Sequence, residues 1–126
     1  MPSEKVISIT TVSPGGESQE IRAKCRCYSK EGKEHVLFEA DGDRCRISFD
    51  KSSLTYRRQG ELSFELFLSA GTKTDVKMYT SYGASEITCF TEAYNVSETG
   101  DAIRIDIKYN MAEEARKMEI IIKEKI

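Results

Sequence analysis

LTYRRQGELSFELFLS, residues 54–69, decides the architecture. Beyond Gly60, the residues Leu62, Phe64, Leu66 and Leu68 share one parity, while Ser63, Glu65 and Ser69 share the other, with Phe67 the exception. A repeat of two places alternate side chains on opposite faces of an extended chain, so this half is a β-strand with one wet and one buried face. Before Gly60, Leu54, Tyr56 and Arg58 share a parity, and Gln59-Gly60 offers the polar, conformationally tolerant corner of a hairpin. The apolar parity of the first strand therefore ends on an arginine.

The flanking sequence repeats this pattern in both directions. Val6 to Val12 is a β-branched run stopped by Ser-Pro-Gly-Gly at 13–16. In Glu20 to Tyr28, Ile21, Ala23, Cys25 and Cys27 alternate with Glu20, Arg22, Lys24 and Arg26. The polar string from Ser29 to Glu34 reads as a turn. Val36 to Ala40 is a short strand, Asp41-Gly42 a hairpin corner, and Arg44 to Phe49 alternates again with Cys45, Ile47 and Phe49 on the apolar side. After a turn at 70–73 come Asp75 to Thr80, the Tyr82-Gly83 corner, and Ser85 to Ser97, which is apolar on both parities and so predicts a bulge or bend. Ala102 to Asn110 places Ile103, Ile105, Ile107 and Tyr109 inside. Met111 to Arg116 has room for one helical turn, although a hairpin loop fits its length better, and Met118 to Lys123 is the last strand.

Short strands between tight turns, without a helical period, define an all-β domain. Short connections favour an up-and-down meander, and closure hides its edges, so the expectation is one domain over residues 1–126, a closed antiparallel barrel of eight to ten strands. Such a barrel holds either a packed interior or one small ligand.

Composition bounds the function. With 39% hydrophobic and 32% charged residues the chain is an ordinary globular domain, and no apolar run is long enough to span a bilayer. The start lacks a basic, then apolar leader, so the expected location is the cytoplasm, with no membrane partner and with free thiols. A net charge of −2 argues against a dedicated nucleic-acid binder. The charge is uneven, because residues 1–60 carry eleven Lys and Arg against nine Asp and Glu, and residues 61–126 carry eight against twelve. An anionic partner would therefore meet the N-terminal half.

The order of features resembles the YwiB-like family, small bacterial proteins with a calycin-type, lipocalin-like β-barrel and no established function. The resemblance runs from about Ile7 to Lys123 and is strongest from Tyr56 onward. Arg58-Gln59-Gly60 is similar to the family's Arg-x-Gly, Gly71 to its glycine turn, and Tyr79-Thr80-Ser81-Tyr82-Gly83 to its tyrosine-glycine corner. Thr91 and the strand Ile105-Asp106-Ile107-Lys108-Tyr109 match further on. Here serine stands where the corner usually has proline, and the tyrosine spacing is one residue tighter. The resemblance implies a lipocalin-like shape, and shape alone implies no ligand.

Several constellations carry chemistry on paper. Cys25 and Cys27 share a face about 7 Å apart by strand rise, and Cys45 and Cys89 would join them if the barrel brought all four together, a set suited to zinc. Their apolar parity favours core packing instead, so neither metal nor cofactor is expected. His35, the single histidine, falls in a charged turn without a nucleophile or orienting group, and the carboxylates fall on outward parities or in turns, so no catalytic set is found. Pro14-Gly15-Gly16 lacks the lysine of a phosphate loop, and Asn95-Val96-Ser97 matches a glycosylation acceptor by chance.

Arg58 on the inward parity suits a carboxylate or phosphate head group in the lumen, with Tyr56, Tyr79, Tyr82, Thr91 and Tyr109 supplying hydroxyls and aromatic walls. Alternatively it sits at a strand end, reaching water or pairing with a neighbouring carboxylate. Arg22, Lys24 and Arg26, with Arg44 and Arg46, form two outward basic stripes, with few aromatics beside them for base stacking. The leading expectation is a non-enzymatic barrel that binds a small amphipathic or anionic molecule in its lumen. The alternative is a protein- or RNA-interaction module using the outer basic face around a filled interior, and an enzyme ranks third. A homodimer stays open.

Overall fold

The computed structural model describes residues 3–124 and consists of ten strands. They are β1 (Ser3–Val12), β2 (Ser18–Lys30), β3 (Lys33–Ala40), β4 (Asp43–Phe49), β5 (Leu54–Gln59), β6 (Ser63–Leu68), β7 (Lys73–Thr80), β8 (Gly83–Thr99), β9 (Ala102–Met111) and β10 (Glu114–Glu124). Each strand pairs antiparallel with its sequence neighbours, and β1 pairs with β10 from Lys5 opposite Glu124 to Val12 opposite Lys117. The meander therefore closes, with its narrowest seam between β6 and β7, which pair only through Ser63–Tyr79 and Phe64–Met78. The ten strands are the upper end of the expected range. No helix among the described residues is long and apolar enough to cross a membrane.

Antiparallel order sorts the connections into two ends. The terminal end holds the start of β1, the end of β10 and the β2–β3, β4–β5, β6–β7 and β8–β9 turns; the other five turns form the opposite end. Asp41-Gly42 is the expected tight hairpin corner, with φ of 52° and 84°. Positive φ at both central residues is what a two-residue hairpin needs to follow the strand twist.

One sequence expectation needs correction. The polar string Ser29 to Glu34 turns only at Glu31-Gly32, and its other residues pair as strand, with Lys30 opposite Lys33. His35 consequently lies within β3 and not in a turn. Met111 to Arg116 is the hairpin that its length favoured, drawn in to a corner of Ala112 and Glu113 alone, with Glu114 paired to Met111. Charged residues in these segments sit comfortably on the wet side of a sheet, so polarity alone overestimated the loops.

The expected irregularity in β8 is a bulge between Thr91 and Ala93. It shifts the inward phase from Cys89 and Thr91 to Tyr94 and Val96. One extra residue explains why both parities read as apolar.

The interior is filled. Ile7, Ile47, Leu54, Leu68, Ile105 and Ile120, from six different strands, each have 0% of their surface exposed. A water-sized void among them would leave some of that surface accessible, so the middle of the barrel is side chain against side chain. Each such residue contributes roughly 1.5–3 kcal/mol by leaving water. Ile107 is buried as expected, and Ile103 is half-buried against the same core.

Candidate functional site

Strand parity carries Tyr56 and Arg58 inward on β5, towards the opposite end. The Tyr56 ring packs edge-on against Phe64 with centroids 5.2 Å apart, and burial pushes its hydroxyl pKa up. Arg58 meets Asp43, which opens β4 on the inward parity of Cys45 and Ile47. Its Nε donates to Asp43 Oδ2 at 2.8 Å, and the side chains of the two residues are only 12% and 5% exposed. The backbone N–H groups of Glu61 and Leu62 donate to the same carboxylate at 3.0 and 3.4 Å. The Arg58 hydrogen bond, helped by these two donors, holds the Asp43 carboxyl below the usual carboxylate range.

Gly60 makes this approach possible. A Cβ there would lie 1.9 Å from Asp43 Oδ1, so only glycine lets the β5–β6 turn wrap the carboxylate. Arg58 thus pairs with a neighbouring carboxylate. Asp43 is also the exception to the outward placement expected of the carboxylates, and its parity with Cys45 was the signal.

The other proposed lumen residues fall elsewhere. Thr91 and Tyr109 are inward and directly opposite each other on β8 and β9. Tyr79 points outward from β7 with half its surface exposed, and Tyr82 stands at the tip of the β7–β8 turn, 99% exposed. The six therefore divide into two inward pairs and two exterior tyrosines.

At the terminal end, the bulge aims Tyr94 at the β4–β5 turn. Its hydroxyl lies 2.8 Å from the Asp50 carbonyl and 2.9 Å from that of Ser53, to which it donates. Asp50 accepts the N–H groups of Ser52 and Ser53, each at 2.9 Å, and these bonds hold its carboxyl below the ordinary range. The turn is tied from inside and from within itself.

All four cysteines are buried and free. Cys25 and Cys27 bring their sulfurs to 3.9 Å, nearer than strand rise alone gives. Cys45 lies beyond Phe38, which pairs with both Cys25 and Cys45, so β3 stands between them. Among the described residues no group of three or more metal-ligating side chains converges.

The outer wall of β2–β5 is the most distinctive surface. Antiparallel register places Arg26, Leu37, Arg46 and Arg57 in one row across four strands, ending at Glu65 on β6. The adjacent row runs Tyr28, His35, Ser48, Thr55 and Phe67. Arg22, Lys24 and Arg44 extend the basic character, while Glu20 and Glu39 are the outward carboxylates of these four strands. Arg22 pairs with Glu20 at 3.7 Å and Arg57 with Glu65 at 3.9 Å, while Glu4 and Glu39 stand in register opposite Arg26 and Arg44 without closing to ion-pair distance. A cleft of about 700 Å³ opens where β2 and β3 part beyond Cys25, lined by the outward Lys24, Arg26, Leu37 and Arg44, by Glu4 and Glu39, and by the inward Cys25, Phe38 and Cys45.

His35 anchors the wall. Its ring stacks on Tyr28 with centroids 4.9 Å apart and 14° between planes. Arg46 Nη2 donates to His35 Nδ1 at 3.1 Å and to the Tyr28 hydroxyl at 3.3 Å, and Ser48 Oγ lies 2.8 Å from the same ring nitrogen. A guanidinium has no acceptor, so Nδ1 is the accepting nitrogen. Phe67 is 38% exposed at the far end of its row, which explains its break with the alternation. The sequence suggested few aromatics here because Tyr28, His35 and Phe67 come together only through register.

Fold and surface define a class: a closed ten-stranded antiparallel barrel with a filled interior and one basic outer wall. Residues 5–121 match the profile described as "Domain of unknown function (DUF1934)", and the chain belongs to that family. Among solved structures, the ywiB protein of Bacillus subtilis is similar in fold, with a TM-score of 0.88 over 99% of this chain and 94% of that one. At 19% identity this likeness concerns the fold, and it agrees with the YwiB-like resemblance in the sequence. No curated protein matches.

Proposed function

We propose that the protein is a non-enzymatic interaction module that engages an anionic polymer, with single-stranded RNA the best chemical fit, through the outer wall of β2–β5. The supporting observation is the row of Arg26, Leu37, Arg46 and Arg57 beside a row ending in Tyr28 and Phe67. Guanidinium groups neutralise phosphates and stack on flat rings, while exposed apolar side chains take the faces of bases. The near-neutral whole carries the charge locally, which is the pattern of a surface used on one side.

A ligand in the lumen has less support. Arg58 is already paired with Asp43, and the side chains of the central layers are fully buried.

Fluorescence anisotropy with a labelled single-stranded oligouridine, at several salt concentrations, tests the reading. Wild type binds with an affinity that falls as salt rises, and R26E/R46E lowers it at least ~10-fold and flattens the salt slope by about two. Equal affinity for polyglutamate would assign the wall to an acidic protein instead. Binding unaffected by R26E/R46E would remove the wall from consideration.

A further inference from the structure

We propose that Cys25 and Cys27 form a two-sulfur clasp for a thiophilic d10 cation of the zinc and cadmium class, just inside the terminal end of the barrel. Both side chains point inward from β2, both are free, and their sulfurs lie 3.9 Å apart. Same-face neighbours on a strand are about 7 Å apart along the backbone, the outer limit for a disulfide, so bonding the sulfurs would require backbone movement. An ion between them requires none. With metal–sulfur bonds of about 2.3 Å, the 3.9 Å separation corresponds to an S–metal–S angle of about 116°, near tetrahedral.

The surroundings suit a dithiolate. Lys5 shares the inward parity of Ile7 and Ile9 and lies in register opposite Cys25. Its ammonium, on a side chain 22% exposed, is 3.6 Å from Glu124. This positive charge offsets thiolate charge. The hydrogen bond between the two thiols holds Cys27 below its ordinary range and raises Cys25. Binding exchanges the two thiol protons for the ion, M²⁺ + 2 RSH giving M(SR)₂ + 2 H⁺, without any change in oxidation state. Among the described residues no third protein ligand joins the pair, and the remaining coordination positions go to water. Cys45 lies two strand spacings away, about 10 Å, and Cys89 is on β8, so these two thiols are internal controls.

Titration of the reduced protein with cadmium chloride tests the clasp. One equivalent binds, with sulfur-to-cadmium absorbance in the near ultraviolet and release of protons. Cadmium-dependent protection from alkylation, mapped by peptide mass, falls on Cys25 and Cys27. C27A weakens uptake by at least ~100-fold, because losing even an outer-shell partner of a metal costs ten- to a hundredfold, and C89A leaves it unchanged. Absence of uptake, retention of uptake in C25A/C27A, or protection falling on Cys45 or Cys89 would overturn the proposal. Should the variants fail to fold, the protection map of the native chain decides alone.

Discussion

Arg57 and Arg58 are neighbours in sequence on β5 and face opposite sides of the barrel wall. Arg58 turns inward, where Asp43, Gly60 and the turn N–H groups leave it no freedom. Arg57 turns outward into a row of arginines and spans 3.9 Å to Glu65, with both side chains more than half exposed. The inward pair is held by hydrogen bonds and by the cost of leaving either charge buried alone, while the outward pair is screened by water and contributes little to stability. Two identical side chains one residue apart thus separate what builds the barrel from what the barrel can present to a partner.

The sharpest way to break this contrast is at Gly60. Gly60→Ala drives a methyl into Asp43, displaces the carboxylate from Arg58, and is expected to cost about 4 kcal/mol, among the larger single-site effects. Urea unfolding measures it, and a loss within 1 kcal/mol would show that the network is not needed. Arg58→Ala follows at about 3 kcal/mol, because it leaves a buried carboxylate without its cation. Arg57→Ala, in the same titration, stays within about 0.5 kcal/mol. Equal losses at 57 and 58 would erase the distinction.

Acid should sharpen it further. The folded Asp43 carboxyl is depressed below its unfolded value, so its contribution is complete above the unfolded pKa near 4 and is lost as pH falls through the folded value. Wild type therefore loses stability more steeply than D43N on going from pH 5 to pH 2, and parallel profiles would contradict the pairing. At the terminal end Tyr94→Phe removes one donor from the Asp50 and Ser53 carbonyls, an effect of about 1 kcal/mol. Hydrogen exchange should place the added opening at the β4–β5 turn.

Much of this fold was legible because alternation is hard to mistake where it is clean. Ile105 and Ile107 could only face inward, and the doubled apolar parity of β8 announced its bulge. Asp43 was missed because a charged residue beside Gly42 reads as part of the turn, although it stands on the parity of Cys45. His35 was missed because hydrophilic flanks look like a loop when they are the wet face of two paired strands. The basic stripes on β2 and β4 were visible, but their union was not. Arg26, Leu37, Arg46 and Arg57 become neighbours through inter-strand register, which depends on where each two-residue turn falls. The lumen residues were grouped by type and family position, and the structure separates Tyr79 and Tyr82 from the rest because the parity of β7 and the tip of its turn carry them outside.

Amide chemical-shift mapping of the labelled protein during titration with oligouridine tests most directly whether the wall of β2–β5 is the working surface. The account predicts shifts concentrated at Arg26, Leu37, Arg46, Arg57 and Phe67, with Ile105, Ile107 and Tyr109 unmoved. Shifts centred on those interior residues, or on the outer side of β9 and β10, would contradict it.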